Sequence, residues 1–408
     1  MMEGYKDSIL GKIPINWEVV KLESVGRFVS GGTPKTNNEE FWNGDIQWCT
    51  PTEITALKGH KYIATTKRTI TELGLKNSGA TVIPPFSLLL CTRATIGVCA
   101  INKIETTTNQ GFKSIVPNST VGIDFLFYLI ISLKDELIKN SSGSTFLEIS
   151  KSAIESILVR LPSIPEQQKI ASILTTVDDK LENITAQIAE YMNLKKGLMQ
   201  KLLVKGIGHT KFKDSPLGEI PEEWEVVKQV SVATFYNGRA YKLTEWETTG
   251  TPVIRLQNLT GTGENYYYSN LKLPKHQYCY HGDLLYMWSA TFGATWWKGD
   301  KAIFHYHIWK IEVEPKKLIK EFHYYLLDDI TTRMKNQSNG STMLHVTKGG
   351  MKELLVQLPP LPEQRKIADI LSSADAKLES LRTKKEEYTK LKKGLMEKLL
   401  TGKIRVKV

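Results

Sequence analysis

The segment Leu161-Pro162-Ser163-Ile164-Pro165-Glu166-Gln167-Gln168-Lys169-Ile170-Ala171 occurs a second time in the chain, as Leu358-Pro359-Pro360-Leu361-Pro362-Glu363-Gln364-Arg365-Lys366-Ile367-Ala368. The similarity continues to Leu203 and Leu400, and 25 of 43 positions are identical at a constant offset of 197 residues. A repeat of this length and identity indicates duplication of a structural unit. The chain is therefore organised around this duplicated segment.

Each copy has the pattern of one long helix. A proline stands where the first helical turn begins (Pro165 and Pro362), followed by Glu and Gln, which is typical of a helix N-terminus. Apolar residues then recur with heptad spacing, the pattern of a coiled coil. The predicted helix-pairing residues are Leu174, Val177, Leu181, Ile184, Ile188, Leu198 and Leu202 in the first copy and Leu371, Leu378, Leu381, Leu395 and Leu399 in the second.

Three lysines, Lys195, Lys385 and Lys392, interrupt the apolar seams. Such a charge costs stability but can fix the register of paired helices. A rod of about 40 residues is about 60 Å long and needs a partner for its apolar face. The chain supplies a second rod of equal length, so we expect the two to pair. Antiparallel pairing is favoured because it places the two intervening domains at opposite ends instead of side by side.

A shorter repeat precedes each domain. Asp7–Lys21 and Asp214–Lys228 are identical at 11 of 15 positions, at an offset of 207 residues. The whole chain is thus a duplicated unit of lead-in segment, variable domain and rod, and this cyclic order predicts that the termini lie close together.

The regions between lead-in and rod contain short β-branched and aromatic runs separated by Gly, Pro and Asn, which indicates mixed domains rich in short strands. The predicted fold class is α+β: two mixed α/β domains joined by two long helices in an antiparallel coiled coil, with an internal pseudo-twofold repeat. The predicted boundaries are 1–160 for the first domain, 161–206 for the first rod, 207–357 for the second domain, and 358–408 for the second rod and tail.

Composition excludes several classes of protein. Hydrophobic residues make up 41% and charged residues 24% of the 408-residue chain, as in globular proteins. No apolar run approaches 18 residues and the start has no signal-peptide core, so we expect a cytoplasmic protein that does not enter a membrane. Four cysteines without a CxxC pair predict reduced thiols. The net charge of +11 fits either a solvated basic surface or a nucleic-acid partner.

Catalytic motifs were sought and are incomplete. Ile83-Pro84-Pro85-Phe86 resembles part of an adenine-methyltransferase motif, but Ile83 cannot hydrogen-bond the amino group to be methylated, and no cofactor loop accompanies it. No phosphate-binding loop is present. For the cluster of His276, Cys279, His281, His305 and His307, ordinary packing is favoured over a metal site. We therefore expect no cofactor, no metal and no catalytic residue.

The LPxxPEQxKIAxIL…LKKGLMxKLL rods, the SGGTPK…FWNGDIQW opening of the first domain and the IPxxWEVVKL lead-in resemble the specificity subunit of type I restriction–modification systems. The resemblance covers essentially the whole chain. It implies that each variable domain recognises one half of a bipartite site in double-stranded DNA. It also implies that the rods separate the half-sites and hold two methyltransferase subunits, and that motor-nuclease subunits join through that complex. The resemblance further implies that the subunit itself catalyses nothing and that it directs N6-adenine methylation and DNA cleavage by the assembly.

The DNA-binding candidates are loop residues whose side chains suit DNA. Phosphate contacts supply affinity and base-edge contacts supply sequence choice, with Arg and Lys suited to guanine and Asn and Gln to adenine. The second domain keeps little of the GGTP…WNGDI opening, so no family residue is carried into it, although the resemblance implies the same role for it. The candidates are Lys35, Arg93, Asn109 and Gln110 in the first domain and Arg239, Tyr241, Lys242, Arg255, Asn258 and Trp288 in the second. For each, the alternative is a solvated loop charge or a packed aromatic.

A second function remains open at this point. The chain would then be a coiled-coil scaffold whose variable domains bind protein surfaces. The two functions differ in one property: a DNA-binding subunit is retained on DNA in a salt-sensitive way, whereas the scaffold is not.

Overall fold

The computed structural model describes residues 4–143, 147–289, 291–337 and 347–407. The chain folds as two compact units. Unit 1 comprises Met1–Thr185 and Thr383–Val408, and unit 2 comprises Ala186–Arg382. Each long helix therefore contributes one part to unit 1 and the other part to unit 2.

Among the described residues, the first half of the chain contains twelve short strands and ends in a long helix. Its elements are β1 (Tyr5–Lys6), β2 (Ile13–Pro14), β3 (Glu18–Lys21), β4 (Gly26–Ser30), β5 (Trp42–Cys49), α1 (Pro51–Ala56), β6 (Tyr62–Ile63), β7 (Arg68–Ile70), α2 (Glu72–Lys76), β8 (Leu88–Leu90), β9 (Cys99–Asn102), β10 (Thr107–Thr108), β11 (Lys113–Pro117), α3 (Ile123–Ser132), α4 (Lys134–Lys139), α5 (Lys151–Glu155), β12 (Leu158–Leu161) and α6 (Ile164–Lys205).

The second half follows a related order. Its elements are β13 (Phe212–Lys213), β14 (Ile220–Pro221), β15 (Glu225–Lys228), β16 (Ala233–Asn237), β17 (Thr251–Ile254), α7 (Leu256–Thr260), β18 (Tyr267–Ser269), β19 (Tyr278–Cys279), β20 (Leu284–Ser289), β21 (Thr291–Trp296), β22 (Ala302–Phe304), β23 (Ile308–Val313), α8 (Lys320–Gln337), α9 (Lys348–Glu353), β24 (Leu355–Leu358) and α10 (Leu361–Leu399).

Among the described residues each unit has two main sheets besides its two-stranded ones. They are called here the larger and the smaller sheet after unit 1, where they have five and three strands; in unit 2 the corresponding sheets have four strands each. In unit 1 the larger sheet has the order β4-β11-β8-β9-β6 and the smaller has the order β10-β5-β7. In unit 2 the corresponding orders are β16-β23-β20-β21 and β18-β17-β22-β19. In both smaller sheets a central strand pairs in parallel with a later one (β5 with β10, β17 with β22) and antiparallel with its neighbour (β5 with β7, β17 with β18).

A helix covers the larger sheet of each unit and joins it to the long helices. The α3 sequence is apolar on nearly all sides, and Phe125 to Ile130 are all buried, as expected of a helix enclosed by protein. Its core includes strand residues of the larger sheet together with Leu174 of α6 and Leu399 of α10. In unit 2 the equivalent core joins α8 to Leu202 and Leu371.

The two long helices pair in antiparallel fashion, as predicted. In the core of unit 1 the N-terminal residues Ile170 and Leu174 of α6 lie with the C-terminal residues Leu395 and Leu399 of α10. In unit 2 the C-terminal end of α6 lies with the N-terminal end of α10. Of the predicted pairing residues, Leu174, Val177, Ile184, Leu202, Leu371, Leu378, Leu381 and Leu399 are buried, and Leu181, Ile188, Leu198 and Leu395 are half-buried.

The Glu-Gln pair at the start of each long helix fixes the helix to its own unit. In unit 1 the buried Glu166 carboxylate accepts hydrogen bonds from Trp17 Nε1 (2.9 Å) and from Arg405 Nε (2.6 Å). Gln167 Oε1 accepts from the Gly122 N–H (2.9 Å), directly before α3. The repeated motif therefore binds the lead-in segment, the C-terminal tail and the sheet-covering helix to a single point.

Unit 2 repeats this arrangement. Glu363 Oε2 accepts from Trp224 Nε1 (2.9 Å), and Glu363 Oε1 lies 2.8 Å from His209 Nε2. Gln364 Oε1 accepts from the Ile319 N–H (2.9 Å), just before α8. The motif is thus structural in both copies, which explains why it is repeated so closely.

Two of the three seam lysines, Lys392 and Lys195, are paired across the helices. In unit 1, Lys392 Nζ lies 2.6 Å from Asp178 Oδ1, and Tyr128 Oη donates to Asp178 Oδ2 (2.8 Å). In unit 2, Lys195 Nζ lies 2.7 Å from Asp375 Oδ1, and the Tyr325 hydroxyl donates to Asp375 Oδ2 (2.9 Å). Each aspartate therefore links the partner helix to the helix that covers the sheet.

Described residues close to the two ends of the sequence contact each other within unit 1, as the cyclic repeat predicts. Tyr5 Oη donates to the Gly402 carbonyl (3.0 Å), and Gly402 lies against Pro14 and Trp17. The four cysteines are buried free thiols, also as predicted.

Candidate nucleic-acid interface

In each unit two backbone segments come close together beside the smaller sheet. The loops around this contact are called here the loop cluster of that unit. At Gly31, an added Cβ would lie 2.0 Å from the Asn109 carbonyl oxygen, directly after β10. At Gly238, an added Cβ would lie 2.3 Å from the carbonyl oxygens of Phe304 and His305, at the end of β22. Only glycine fits at these two positions. The segment after each glycine is therefore held beside the loop that follows the parallel strand.

In unit 1 this approach brings three predicted DNA-binding residues together. Gln110 is exposed and its Oε1 accepts a hydrogen bond from the Thr33 hydroxyl. Asn109 Oδ1 accepts from the Gly111 N–H (2.9 Å), so it shapes the turn. Lys35 is exposed, and its carbonyl accepts from Trp42 Nε1 (3.2 Å). Among the described residues, the Lys35 ammonium and the Gln110 Nε2 form no hydrogen bond, so both donors are exposed at one loop cluster.

Arg93, the fourth candidate, lies on an adjacent loop but is engaged within the fold. The Thr92 N–H donates to the Gly111 carbonyl (2.8 Å), which places this loop beside Asn109 and Gln110. Arg93 Nε (2.9 Å) and Nη2 (2.6 Å) both donate to Glu148 Oε2. The charge of Arg93 is therefore already balanced by a carboxylate.

One cationic residue of this loop cluster, Arg68, was not among the predicted DNA-binding residues. The exposed Arg68 on β7 places its guanidinium 3.7 Å from the ring centroid of Trp42 and 5.1 Å from that of Trp48. Trp42 and Trp48 themselves meet edge to face, with centroids 4.9 Å apart. Arg68 has no local sequence signal, because only the pairing of β7 with β5 brings it to these rings.

Unit 2 carries a longer stack of cations and rings at the equivalent place. Tyr241, Trp246 and Tyr267 stack with centroid separations of 4.7 and 4.5 Å. Arg239 lies over Tyr241 (4.4 Å to the centroid) and Arg255 over Tyr267 (4.2 Å), so an arginine closes each end. Three predicted residues, Arg239, Tyr241 and Arg255, are thus brought together, while Trp246 and Tyr267 were missed. Stacked cation–ring contacts of this kind are favourable and fix the plane of the guanidinium.

The two arginines of this stack differ in charge balance. The Glu245 carboxylate accepts a hydrogen bond from Arg239 Nη2, and this contact raises the pKa of Arg239 above its usual value. The same hydrogen bond lowers the pKa of Glu245. Lys242 is exposed beside them, with its N–H donating to Glu245 Oε2 (2.7 Å). Within the described ranges, Arg255 has no carboxylate partner.

Asn258 and Trp288 are engaged inside unit 2. Asn258 Oδ1 accepts from the Arg255 N–H (2.9 Å), while its Nδ2 donates to the carbonyls of Gly263 (3.1 Å) and Asn265 (3.0 Å). Trp288 Nε1 donates to the Tyr306 carbonyl (2.8 Å). Asn258 therefore positions the Arg255 backbone, and Trp288 presents ring surface rather than a free donor.

Two histidines connect Trp288 to the stack. His305 lies 6.1 Å from Trp246 and 5.2 Å from His307, and His307 lies 5.5 Å from Trp288, measured between ring centroids. Burial, with smaller effects from His307 and Arg255, lowers the pKa of His305 to about 4. Burial also lowers the pKa of His307. Both rings are therefore neutral at pH 7 and add no charge to this surface.

The arrangement can be compared with known proteins. The model of the type I restriction modification DNA specificity domain matches this chain twice, at residues 14–191 and 221–390. The chain belongs to this family. The two matches contain both loop clusters and most of both long helices, so the duplicated unit seen in the structure is the family's domain.

Members of the family with similar sequences and folds support this assignment. The type I restriction enzyme MjaIX specificity subunit of Methanocaldococcus jannaschii is 27% identical over 419 residues, which cover 98% of this chain and 96% of that protein. A chain from work on complex assembly and conformational transition of the type I R-M system has a TM-score of 0.62 at 18% identity, covering 96% of this chain and 99% of that chain.

The S subunit of a type I restriction–modification system from M. genitalium has a TM-score of 0.57 at 16% identity, covering 95% of this chain and 96% of that chain. At these identities the two solved structures show a common fold.

Across the described ranges, no helix combines the length and the apolar character that crossing a membrane requires.

Proposed function

We propose that this chain is the DNA-binding specificity subunit of a type I restriction–modification complex, in which each variable domain recognises one half of a bipartite site. The observation that carries the proposal is the duplication itself. Two copies of one specificity domain present different side chains at the same loop cluster. Two different binding surfaces on a common frame suit two different half-sites, and the DNA between the half-sites goes unread.

The charges and rings of the two loop clusters support DNA over a protein surface. Lys35, Arg68 and Gln110 in unit 1, and Lys242 and Arg255 in unit 2, offer donors suited to phosphate and to base edges. The chain as a whole carries a net charge of +11. A scaffold that binds protein partners has no need for cations held on aromatic rings beside the same sheet in both copies.

The proposed partners follow from the family. Two methyltransferase subunits dock on the paired helices, which set the spacing between the half-sites, and motor-nuclease subunits join through the methyltransferases. The chain itself is non-catalytic and selects where the cytoplasmic assembly methylates adenine at N6 and where it cleaves. No cofactor is assigned to this chain.

The experiment that separates the two functions measures DNA retention of the chain assembled with its methyltransferase subunits at increasing salt. Six to ten phosphate contacts would lower the affinity by roughly 10³ to 10⁵ between 50 and 200 mM salt. A DNA-binding subunit gives this steep dependence together with preference for one site. A protein-binding scaffold gives no salt-sensitive retention, and that result would reject the proposal.

The docking surface can be tested separately. Lys169 and Lys366 occupy equivalent exposed positions in the first turns of α6 and α10. We expect Lys169→Glu together with Lys366→Glu to weaken assembly with the methyltransferase subunits, measured by analytical ultracentrifugation. Lys139→Glu, an exposed charge at the end of α4, is the matched control. Unchanged assembly of the double variant would remove these faces from the proposed docking surface.

A further inference from the structure

Two arginines, one in each unit, share an environment that the other arginines of the loop clusters lack. The guanidinium carbon of Arg68 lies 3.7 Å from the ring centroid of Trp42, and that of Arg255 lies 4.2 Å from the ring centroid of Tyr267. Neither has a carboxylate within ion-pair distance among the residues that the structure describes. In contrast, Arg93 is bound to Glu148 and Arg239 is bound to Glu245. Each unit therefore holds one ring-mounted arginine whose charge is not balanced by a neighbour.

Both contacts between arginine and ring lie at the same pair of strands. In unit 1 the arginine lies on β7, opposite Trp48 of β5. In unit 2 the ring lies on β18, where Tyr267 is opposite Val253 of β17, and Arg255 follows two residues later. Because β5 corresponds to β17 and β7 to β18, the cation and the ring have exchanged strands while the contact itself is kept.

This environment suits recognition of a planar acceptor pair. A guanidinium that lies on a ring uses one face for the stack, so its in-plane N–H groups remain available at the edge. For Arg255 the Nε is buried, whereas its terminal amino groups form no hydrogen bond with the described residues, so these two groups are the donors left for a ligand. Two parallel N–H donors match O6 and N7 of guanine in the major groove.

The rings also reduce the cost of recognition. A free arginine loses rotamer freedom when it binds, whereas a guanidinium already held in one plane loses less per hydrogen bond. The neighbouring His305 is neutral at pH 7 because burial lowers its pKa to about 4. It therefore places no second positive charge beside Arg255.

We propose that Arg68 and Arg255 are the guanine-reading residues of the two domains, one for each half-site. The proposal rests on the proposed function and adds the residue and the base to it. Each half-site then contains a guanine whose recognition depends on one of these two side chains and not on the other.

The test uses the chain assembled with its methyltransferase subunits. Methylated adenines are first mapped to define both half-sites, and affinity is then measured for duplexes substituted at one base pair at a time. We expect Arg255→Ala to bind its site roughly 5- to 150-fold more weakly and to lose discrimination at one guanine of one half-site. We expect Arg68→Ala to do the same in the other half-site only.

Lysine variants separate base recognition from phosphate contact. Arg255→Lys and Arg68→Lys keep the charge but lose the bidentate geometry, so they should lose discrimination like the alanine variants. Replacing the guanine by 7-deazaguanine removes the N7 acceptor. It should weaken the wild-type complex and leave the corresponding alanine variant unaffected. Arg27→Ala in unit 1 and Arg333→Ala in unit 2, exposed arginines outside the loop clusters, are the controls.

Two sets of results would overturn the proposal. One is a uniform loss of affinity for all duplexes with full rescue by lysine, which indicates phosphate contact. The other is a half-site without guanine, or a wild-type complex whose affinity does not change with 7-deazaguanine. Both of these results are measured on the wild-type complex, so they do not depend on whether a variant folds. Failure of the proposed function looks different, because the wild-type complex would then show no sequence preference at all.

Discussion

The structural bases of units 1 and 2 are built alike, whereas their loop clusters are not. The structural base of each unit consists of its lead-in segment, the start of its long helix and the helix that covers its larger sheet. In both bases a helix-start glutamate accepts a hydrogen bond from a lead-in tryptophan, Trp17 to Glu166 and Trp224 to Glu363, each at 2.9 Å. At the loop clusters, unit 1 has one arginine on a pair of tryptophans, and unit 2 has a stack of three rings closed by two arginines.

This difference shows which residues are constrained by the fold and which are free to vary. The repeated residues satisfy buried hydrogen bonds that hold the rods, the lead-in segments and the sheet-covering helices together, and a change there leaves a polar group unpaired. The loop clusters are partly exposed, and their contacts can be exchanged between strands without disturbing the base. A common frame therefore permits DNA specificity to change one half-site at a time.

The largest expected effect comes from changing the length of the frame. Inserting one heptad into each rod, after Thr185 and after Arg382, adds about 10 Å of helix, which corresponds to about three base pairs of DNA. We expect binding to the original site to fall by at least about 10³-fold, toward non-specific affinity, because only one half-site is then engaged. A site with a gap about three base pairs longer should restore it.

Gel-shift titrations with duplexes of varied gap length measure this shift. Replacing seven exposed rod residues without changing the length is the control. If the preferred gap does not move with the insertion, the rods do not set the spacing.

The two base glutamates should differ in how much stability they provide. Glu166 is almost fully buried and binds both Trp17 and Arg405, so Glu166→Ala should lower the free energy of unfolding by about 3–5 kcal/mol. Glu363 is less buried, and its partners besides Trp224 are His209 and the Ile207 N–H, with no arginine among them in the described residues. Glu363→Ala should cost about 1–3 kcal/mol.

Urea unfolding followed by tryptophan fluorescence gives both values. Glu166→Gln is the control, because the amide oxygen keeps one acceptor for Trp17. Equal losses in the two alanine variants would contradict the difference in burial that distinguishes the two bases.

Mild acid should weaken unit 2 more than unit 1. His323 is fully buried in unit 2 and its Nε2 donates to Gln229 Oε1 (2.9 Å), while burial lowers its pKa to about 3. Between pH 6.5 and 5 the unfolded histidine gains a proton and the folded one does not, so stability falls with pH by about 1.5 kcal/mol. The described part of unit 1 contains one histidine, the exposed His60.

The variant His323→Gln can still donate to Gln229 but cannot titrate. Urea unfolding at pH 6.5 and pH 5 should show a smaller decrease for this variant than for the wild type. The same pH dependence in both proteins would show that His323 is not the group responsible.

The smallest effect concerns the two rod glycines. Gly197 and Gly394 are equivalent positions in α6 and α10, and an added Cβ at either would meet nothing within 4 Å. Gly197→Ala and Gly394→Ala should each raise the free energy of unfolding by about 0.5–1 kcal/mol. Thermal unfolding measures the gain, and Gly31→Ala, where a Cβ has no room, serves as the opposite control. A loss of stability at one rod position only would break the equivalence of the rods.

The frame could be predicted from the sequence because its signals are local or repeated. Heptad spacing predicted the two rods, the placement of the intervening domains favoured their antiparallel pairing, and the cyclic order of the repeats predicted the proximity of the termini. The seam lysines suggested register control, and the structure supplies partners for two of the three, Asp178 for Lys392 and Asp375 for Lys195. The role of the Pro-Glu-Gln motif was missed, although a tryptophan in each lead-in segment and a glutamate in each rod are repeated together.

The loop clusters were only partly accessible from the sequence. Arg239, Tyr241 and Arg255 were selected as loop residues with suitable chemistry. Their stacking through Trp246 and Tyr267 depends on the pairing of β17 with β18, which no local pattern specifies. Arg68 was missed for the same reason. Hydrogen-bond partners distant in sequence also decide which donors remain free, as Glu148 does for Arg93.

The most direct test of the account is a map of methylated adenines in DNA treated with the complex of this chain and its methyltransferase subunits. We predict two different short sequences, separated by a gap of fixed length whose bases do not matter. One continuous recognised sequence, or a gap of variable length, would contradict two dissimilar domains held by a paired-helix frame.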